Sequence, residues 1–196
     1  MSSHVYEAPR QGLNTRQAET VERLLSAGAE ELRAVGHDAV TVRTVARRAG
    51  VSPATAYTYL ASKNHLFAEL FWRHLDQTPD AATRATDPTR RLQSVIRGLV
   101  ERIRTEPELA AAVTPALLSS DPDVERLRLR IGARFVARFE AALGENTEPA
   151  LLDAVSLAFF GALLQVGMGL MTYDEMADRL DAVVAVIMSG QRKGRR

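Results

Sequence analysis

Four cations stand in a stretch that carries no acid. Between Asp38 and Glu69 the chain reads AVTVRTVARRAGVSPATAYTYLASKNHLFA, with Arg43, Arg47, Arg48 and Lys63 as its cations. The whole chain is near neutral (25 Lys and Arg against 24 Asp and Glu), which conceals this local charge of +4. Hydroxyls and phenols are interleaved with the cations: Thr41, Ser52, Thr55, Tyr57, Thr58 and Tyr59. Guanidinium, ammonium, hydroxyl and phenol groups on one short segment suit a polyanion, and binding through them weakens as salt rises. The histidines, at positions 4, 37, 65 and 74, include no pair at a metal-binding helical spacing. There is no G-x-S-x-G, no phosphate loop and no cysteine. No catalytic residue, metal site or cofactor is expected.

The elements that carry these groups can be read locally. Thr41 caps a helix start, and Val42, Val45, Ala46 and Ala49 then recur at i, i+3, i+4 and i+7. Arg43, Arg47 and Arg48 fall off that face. Gly50 stands where a left-handed cap is needed, and Val51 returns to the core. Ser52 followed by Pro53 starts a second helix, whose Ala56 and Leu60 turn inward. Two short helices on a glycine turn form a helix-turn-helix, a unit that lays its second helix in the DNA major groove.

The run Gly36 to Ser52 has the pattern G-x-x-A-x-T-x-x-x-V-A-x-x-A-G-V-S. It continues as x-x-T-x-Y-x-Y-L-x-S-K to Lys63 and then as an apolar helix, Leu66 to Leu75. This stretch, roughly residues 14–77, resembles the DNA-binding domain of the TetR family of bacterial transcriptional regulators. The resemblance implies an all-α homodimer of about nine helices. An N-terminal three-helix head would bind DNA, and a C-terminal helical domain would bind a small ligand and dimerise. Carried over by position, Thr41 and Arg43 contact backbone and base, with Arg43 able to bond guanine in two places. Ser52, Ala54, Thr55 and Thr58 face the groove; Tyr57, Tyr59 and Lys63 hold phosphates. The small recognition helix offers methyl groups to thymine and few strong donors, which leaves the operator sequence open. A dimer would present two such helices to a palindromic operator, about 34–36 Å apart for half-sites one turn apart. A repressor released by ligand is the family's default; an activator or ligand-independent regulator has the same fold. A helical adaptor that does not bind DNA would leave the acid-free stretch without a purpose.

In chain order, residues 1–13 read as a loose arm, from which Arg10, or Arg16 just beyond it, can reach a phosphate or the minor groove. Residues 15–35 form the first helix, with Ala18, Val21, Leu24, Leu25, Gly28, Leu32 and Val35 inward. Glu19, Glu22, Arg23, Glu30 and Glu31 are read as its solvated face. A helix over 62–77, capped by Ser62, connects the head (residues 14–77) to the rest, and Trp72 packs in the core or at the seam. Residues 78–89 are a linker by their proline, threonine and aspartate, so the boundary falls at about residue 78. The second domain, 78–190, is helical over 89–105, 108–118, 123–143, 150–171 and 173–189. Residues 191–196 are a basic tail.

Ala154 to Tyr173 is 20 residues without charge, long enough to cross a bilayer. Amphipathic helices flank it closely, so it is read as a buried helix of a protein that meets no membrane. By family resemblance the helices 150–171 and 173–189 pair with their two-fold mates. The absence of cysteine and of a secretory leader fits a cytoplasmic protein. Candidate ligand-lining residues are Leu99, Ile103, Leu117, Phe135, Phe139, Phe159, Leu163 and Gln165. The SPATAYTYLASKNHL run and the glycine-rich penultimate helix also resemble actinobacterial regulators of steroid and fatty-acyl catabolism. That implies an acyl-CoA or steroid-type ligand.

Overall fold

The computed structural model describes residues 15–76, 85–144 and 147–194, with side chains up to residue 190. Among these residues the structure is all α: α1 (Thr15–Ala39), α2 (Val42–Arg48), α3 (Pro53–Tyr59), α4 (Lys63–Asp76), α5 (Pro88–Arg104), α6 (Pro107–Leu117), α7 (Pro122–Leu143), α8 (Pro149–Gly167) and α9 (Tyr173–Gly194). The N-terminal arm and the basic tail's side chains lie outside the described residues, as does the expected boundary at residue 78.

Helices α1, α2 and α3 form the head, and α4 carries it onto the body. Gly36 breaks the helical geometry of α1 with φ of 72°, a backbone state that suits glycine, so the chain turns there as expected. At Gly28 the constraint is space: a β-carbon would stand 2.7 Å from Leu66 Cδ1, so glycine lets α4 close onto α1. Leu24, Leu25, Val45, Ala46, Leu66 and Phe67 fill the head's interior.

The same apolar core runs on through α4 into the body, to Ile96, Phe135, Phe159 and Val184. Helix α6 packs against α1 and α4, while α7 lies against α4, α5 and α8. Proline stands at the start of each of α5, α6, α7 and α8, where its missing N–H is no loss.

Several expectations shift. Ala18 and Val35 are exposed rather than inward. Glu31 is buried rather than solvated. Helix α8 ends at Gly167 rather than 171, because the amides of Gly169 and Leu170 fold back onto the carbonyls of Val166 and Gln165. It is long and apolar enough to cross a membrane by length and composition alone, but it is not buried all round. Its inner row, Leu151, Val155, Phe159 and Ala162, enters the core. Its outer row, Leu157, Phe160, Leu164 and Met168, is exposed, Leu157 to 75%.

Candidate nucleic-acid interface

The interface begins at two helix starts. Thr41 Oγ1 accepts from the Thr44 amide and Thr44 Oγ1 from the Thr41 amide, both at 3.1 Å, closing a reciprocal capping box. At the other end of α2, Gly50 takes φ of 67°. Its amide bonds Arg47 O and the Val51 amide bonds Ala46 O, the Schellman closure that the glycine permits. Ser52 then caps α3 by accepting from the Thr55 amide at 3.1 Å, with Pro53 in the first turn. Val42, Val45, Ala46, Ala56 and Leu60 are buried, which turns the opposite faces of α2 and α3 outward.

The outward set is Thr41, Arg43, Ser52, Ala54, Tyr57 and Thr58, all exposed. Arg43 and Tyr57 make no hydrogen bond or ion pair with another described residue, which leaves their donors available to a ligand. Some hydroxyls are engaged: Ser52 Oγ and Thr55 Oγ1 are 2.8 Å apart, and Thr58 Oγ1 donates to Ala54 O at 3.1 Å. Thr55 and Tyr59 are half-buried, and Tyr59 packs against the core. Lys63 is half-buried too, and its Nζ donates to His37 O at 3.3 Å, drawn to the carbonyl end of α1.

Arg48 does not belong with the outward cations. Its Nε donates to Glu31 Oε2 at 2.7 Å, and a second carboxylate, Glu30, lies 3.7 Å away. That bond holds the Glu31 carboxyl below its ordinary range against the opposing effect of burial. The signal was present in the spacing: Leu24, Gly28 and Glu31 recur at i, i+4 and i+7, so Glu31 shares the inner face of α1. Among the described residues, Arg43, Arg47 and Lys63 remain as cations with no carboxylate within ion-pair distance, although Arg47 is near enough to Glu31 to act on it electrostatically.

In the body, Leu99, Ile103, Phe135, Phe139 and Phe159 are buried, and Leu117 and Leu163 half-buried. The rings meet: Phe159 lies 5.1 Å from both Phe135 and Phe139. Gln165 is a correction. It stands to the side of the inner row of α8 and is exposed, so it does not line the interior. Sequence reasoning also missed Arg138, buried on α7, whose Nη2 donates to Leu75 O at the end of α4. No cluster of side chains that could hold a metal occurs among the described residues.

Outward cations, hydroxyls and a phenol on a capped two-helix unit can bind a phosphate backbone and present small groups to base edges. Comparison with known proteins agrees with that geometry. A family model described as bacterial regulatory proteins, tetR family, matches residues 24–70. An uncharacterized HTH-type transcriptional regulator of Mycobacterium tuberculosis is 44% identical over 179 residues, which is 90% of this chain and 84% of that protein. The HTH-type transcriptional repressor KstR of Mycolicibacterium smegmatis is 30% identical over 138 residues, 67% of this chain and 68% of that one. Among solved structures, the regulator FadR of Bacillus subtilis in complex with stearoyl-CoA superposes with a TM-score of 0.60 at 16% identity, covering 87% and 98% of the two chains.

Proposed function

The chain belongs to the TetR family of transcriptional regulators, and on that premise we propose a dimeric repressor that leaves its operator when a small apolar ligand enters the body. The observation that carries the DNA half is the outward set on α2 and α3, with Arg43, Ala54, Tyr57 and Thr58 exposed on helices fixed at their starts by Thr41 and Ser52. Arg43 and the hydroxyl-bearing face of α3 read bases, while Tyr57, Tyr59 and Lys63 hold phosphates.

The exposed apolar row of α8, with Val183 and Val186 of α9, is the surface on which two protomers pair. Pairing covers it and sets the distance between the two heads. The apolar interior around Phe135, Phe139 and Phe159 suits an aliphatic or ring-system ligand. The names of KstR and of the stearoyl-CoA complex support a repressor and a fatty-acyl thioester in that order of strength. A ligand acts only as far as it prefers one head spacing over the other. The protein works in the cytoplasm, where its DNA is.

Selection of duplexes from a random-sequence library by the full chain, followed by salt titration, tests the reading. One selected sequence, bound less tightly as salt rises and less tightly after Arg43→Ala or Tyr57→Ala, is the expected result. Selection of no sequence would overturn it. Stearoyl-CoA releasing that duplex while free CoA does not would support the ligand class; equal indifference to both would remove it.

A further inference from the structure

Two polar contacts join the head to the starts of α7 and α6. On one side Ser62 Oγ donates to Asp121 Oδ2 at 2.5 Å while accepting from the His65 amide at 3.0 Å. Asp121 Oδ1 accepts from the Asp123 amide at 2.9 Å. One carboxylate thus closes the first turn of α7 and holds the residue that closes the first turn of α4. On the other side Arg33 bonds both oxygens of Glu106 at 3.1 and 3.0 Å, just ahead of α6.

The contacts differ in weight. Arg33 is 53% exposed, so water screens its pair. Ser62 and Asp121 are half-buried, and the hydroxyl, backed by two backbone amides, holds the Asp121 carboxyl below its ordinary range despite burial. Farther along, Arg130 lies 4.4 Å from the Trp72 ring centre and Arg138 reaches Leu75 O, so α4 and α7 are joined at start, middle and end. Between Tyr59, the last residue of α3, and Ser62 stand only Leu60 and Ala61. An angular error at Ser62 therefore passes almost directly to the recognition helix. Apolar packing along α4 tolerates small rotations; a charge-assisted hydrogen bond is directional and does not.

We propose that Asp121 is a positioning residue for DNA binding: acting through Ser62, it fixes the angle at which the body carries the recognition helix. The proposal rests on the DNA-binding reading above, and its test separates the two.

The full chain, wild type and variant, is titrated with the duplex that the wild type selects. The second probe is that duplex with one base pair inserted at the centre of the protected region. Asp121→Ser keeps a hydroxyl that caps α7 but falls short of Ser62. It also removes a negative charge, which alone would tighten binding to DNA. The expected result is the opposite: affinity falls about tenfold, as when roughly one molecule in ten holds a competent head. The penalty for the inserted base pair shrinks as well, because a loosened head no longer enforces one spacing. Ser62→Gly leaves charge unchanged and remains an adequate cap, and it is expected to lose the same factor of about ten. Ser62→Asn can cap α4 through its carbonyl and donate to Asp121 through its amide, and is expected to bind within about twofold of wild type. If Asp121→Ser loses its helical circular dichroism, Ser62→Gly carries the test. Wild-type affinity and spacing penalty in the folded variants would overturn the proposal, as would Ser62→Asn binding as weakly as Ser62→Gly. A wild type that selects no duplex would overturn the DNA-binding reading itself, and this proposal with it.

Discussion

Head and body hold their helices by different means. In the head, α2 and α3 are 7 residues each, too short to persist alone, and each is fixed by a side-chain cap. Thr41 and Ser52 make directional bonds, and Arg48 crosses to Glu31 to bind α2 to α1. In the body, α5, α7, α8 and α9 run 17 to 22 residues. Proline sets the starts of α5 to α8, and the interior is filled by Leu, Val and a group of phenyl rings that meet tilted or edge-on. Burial is non-directional, so such an interior can repack around a guest. The surface that must match DNA is built from geometry-specific bonds, and the interior proposed to admit a ligand is built from interchangeable ones.

The largest way to break this contrast is Phe135→Ala. Phe135 is 1% exposed and meets Phe71, Phe159 and Phe160. Its truncation is expected to destabilise by about 3–5 kcal/mol in urea unfolding, while the folded fraction keeps wild-type affinity for DNA. A lost DNA affinity in that fraction would mean that the body's packing dictates the head directly.

A smaller effect is expected from Glu31→Gln, about 1–2 kcal/mol, held down because Arg48 is 38% exposed. Its pH dependence has a definite sign. The folded-state carboxyl lies below its ordinary value of 4.5, so its contribution is complete above that pH and disappears as pH falls through the lower folded value. Wild type and variant should therefore differ at pH 7 and converge in acid. A gap that widens in acid would contradict the pairing.

The smallest change in stability belongs to Ser52→Ala, about 1 kcal/mol by thermal unfolding, but with a larger relative loss of DNA affinity, because the capped turn opens the recognition helix. Equal and proportionate losses would erase the distinction between the two regions.

How far the sequence could be read follows the same division. Thr41, Gly50, Ser52 and Pro53 act within a few residues of themselves, so their roles were visible in the one-dimensional spacing, and the helix-turn-helix came with them. In the body, α5 and α7 were also legible from apolar periodicity, because each buries one face. What escaped were bonds across long separations. Glu31 looked like a solvated acid because its partner is on another helix; Ser62 looked like a simple cap because Asp121 is 59 residues away. Gln165 was misplaced because α8 is apolar nearly all round, so periodicity gave no inner face to exclude it from. The structure shows the row that faces inward: Leu151, Val155, Phe159 and Ala162.

The bond between Glu31 and Arg48 also sets an arithmetic of ions. A protein that neutralises DNA phosphates displaces condensed cations, and the logarithm of its affinity falls by roughly 0.9 per phosphate for each unit in the logarithm of salt. Arg48 already faces a carboxylate and displaces little, so on the proposed reading each head counts Arg43, Arg47 and Lys63. The slope should then be near three units per head rather than four, and a chain in which Glu30 and Glu31 are both neutral would gain the missing one.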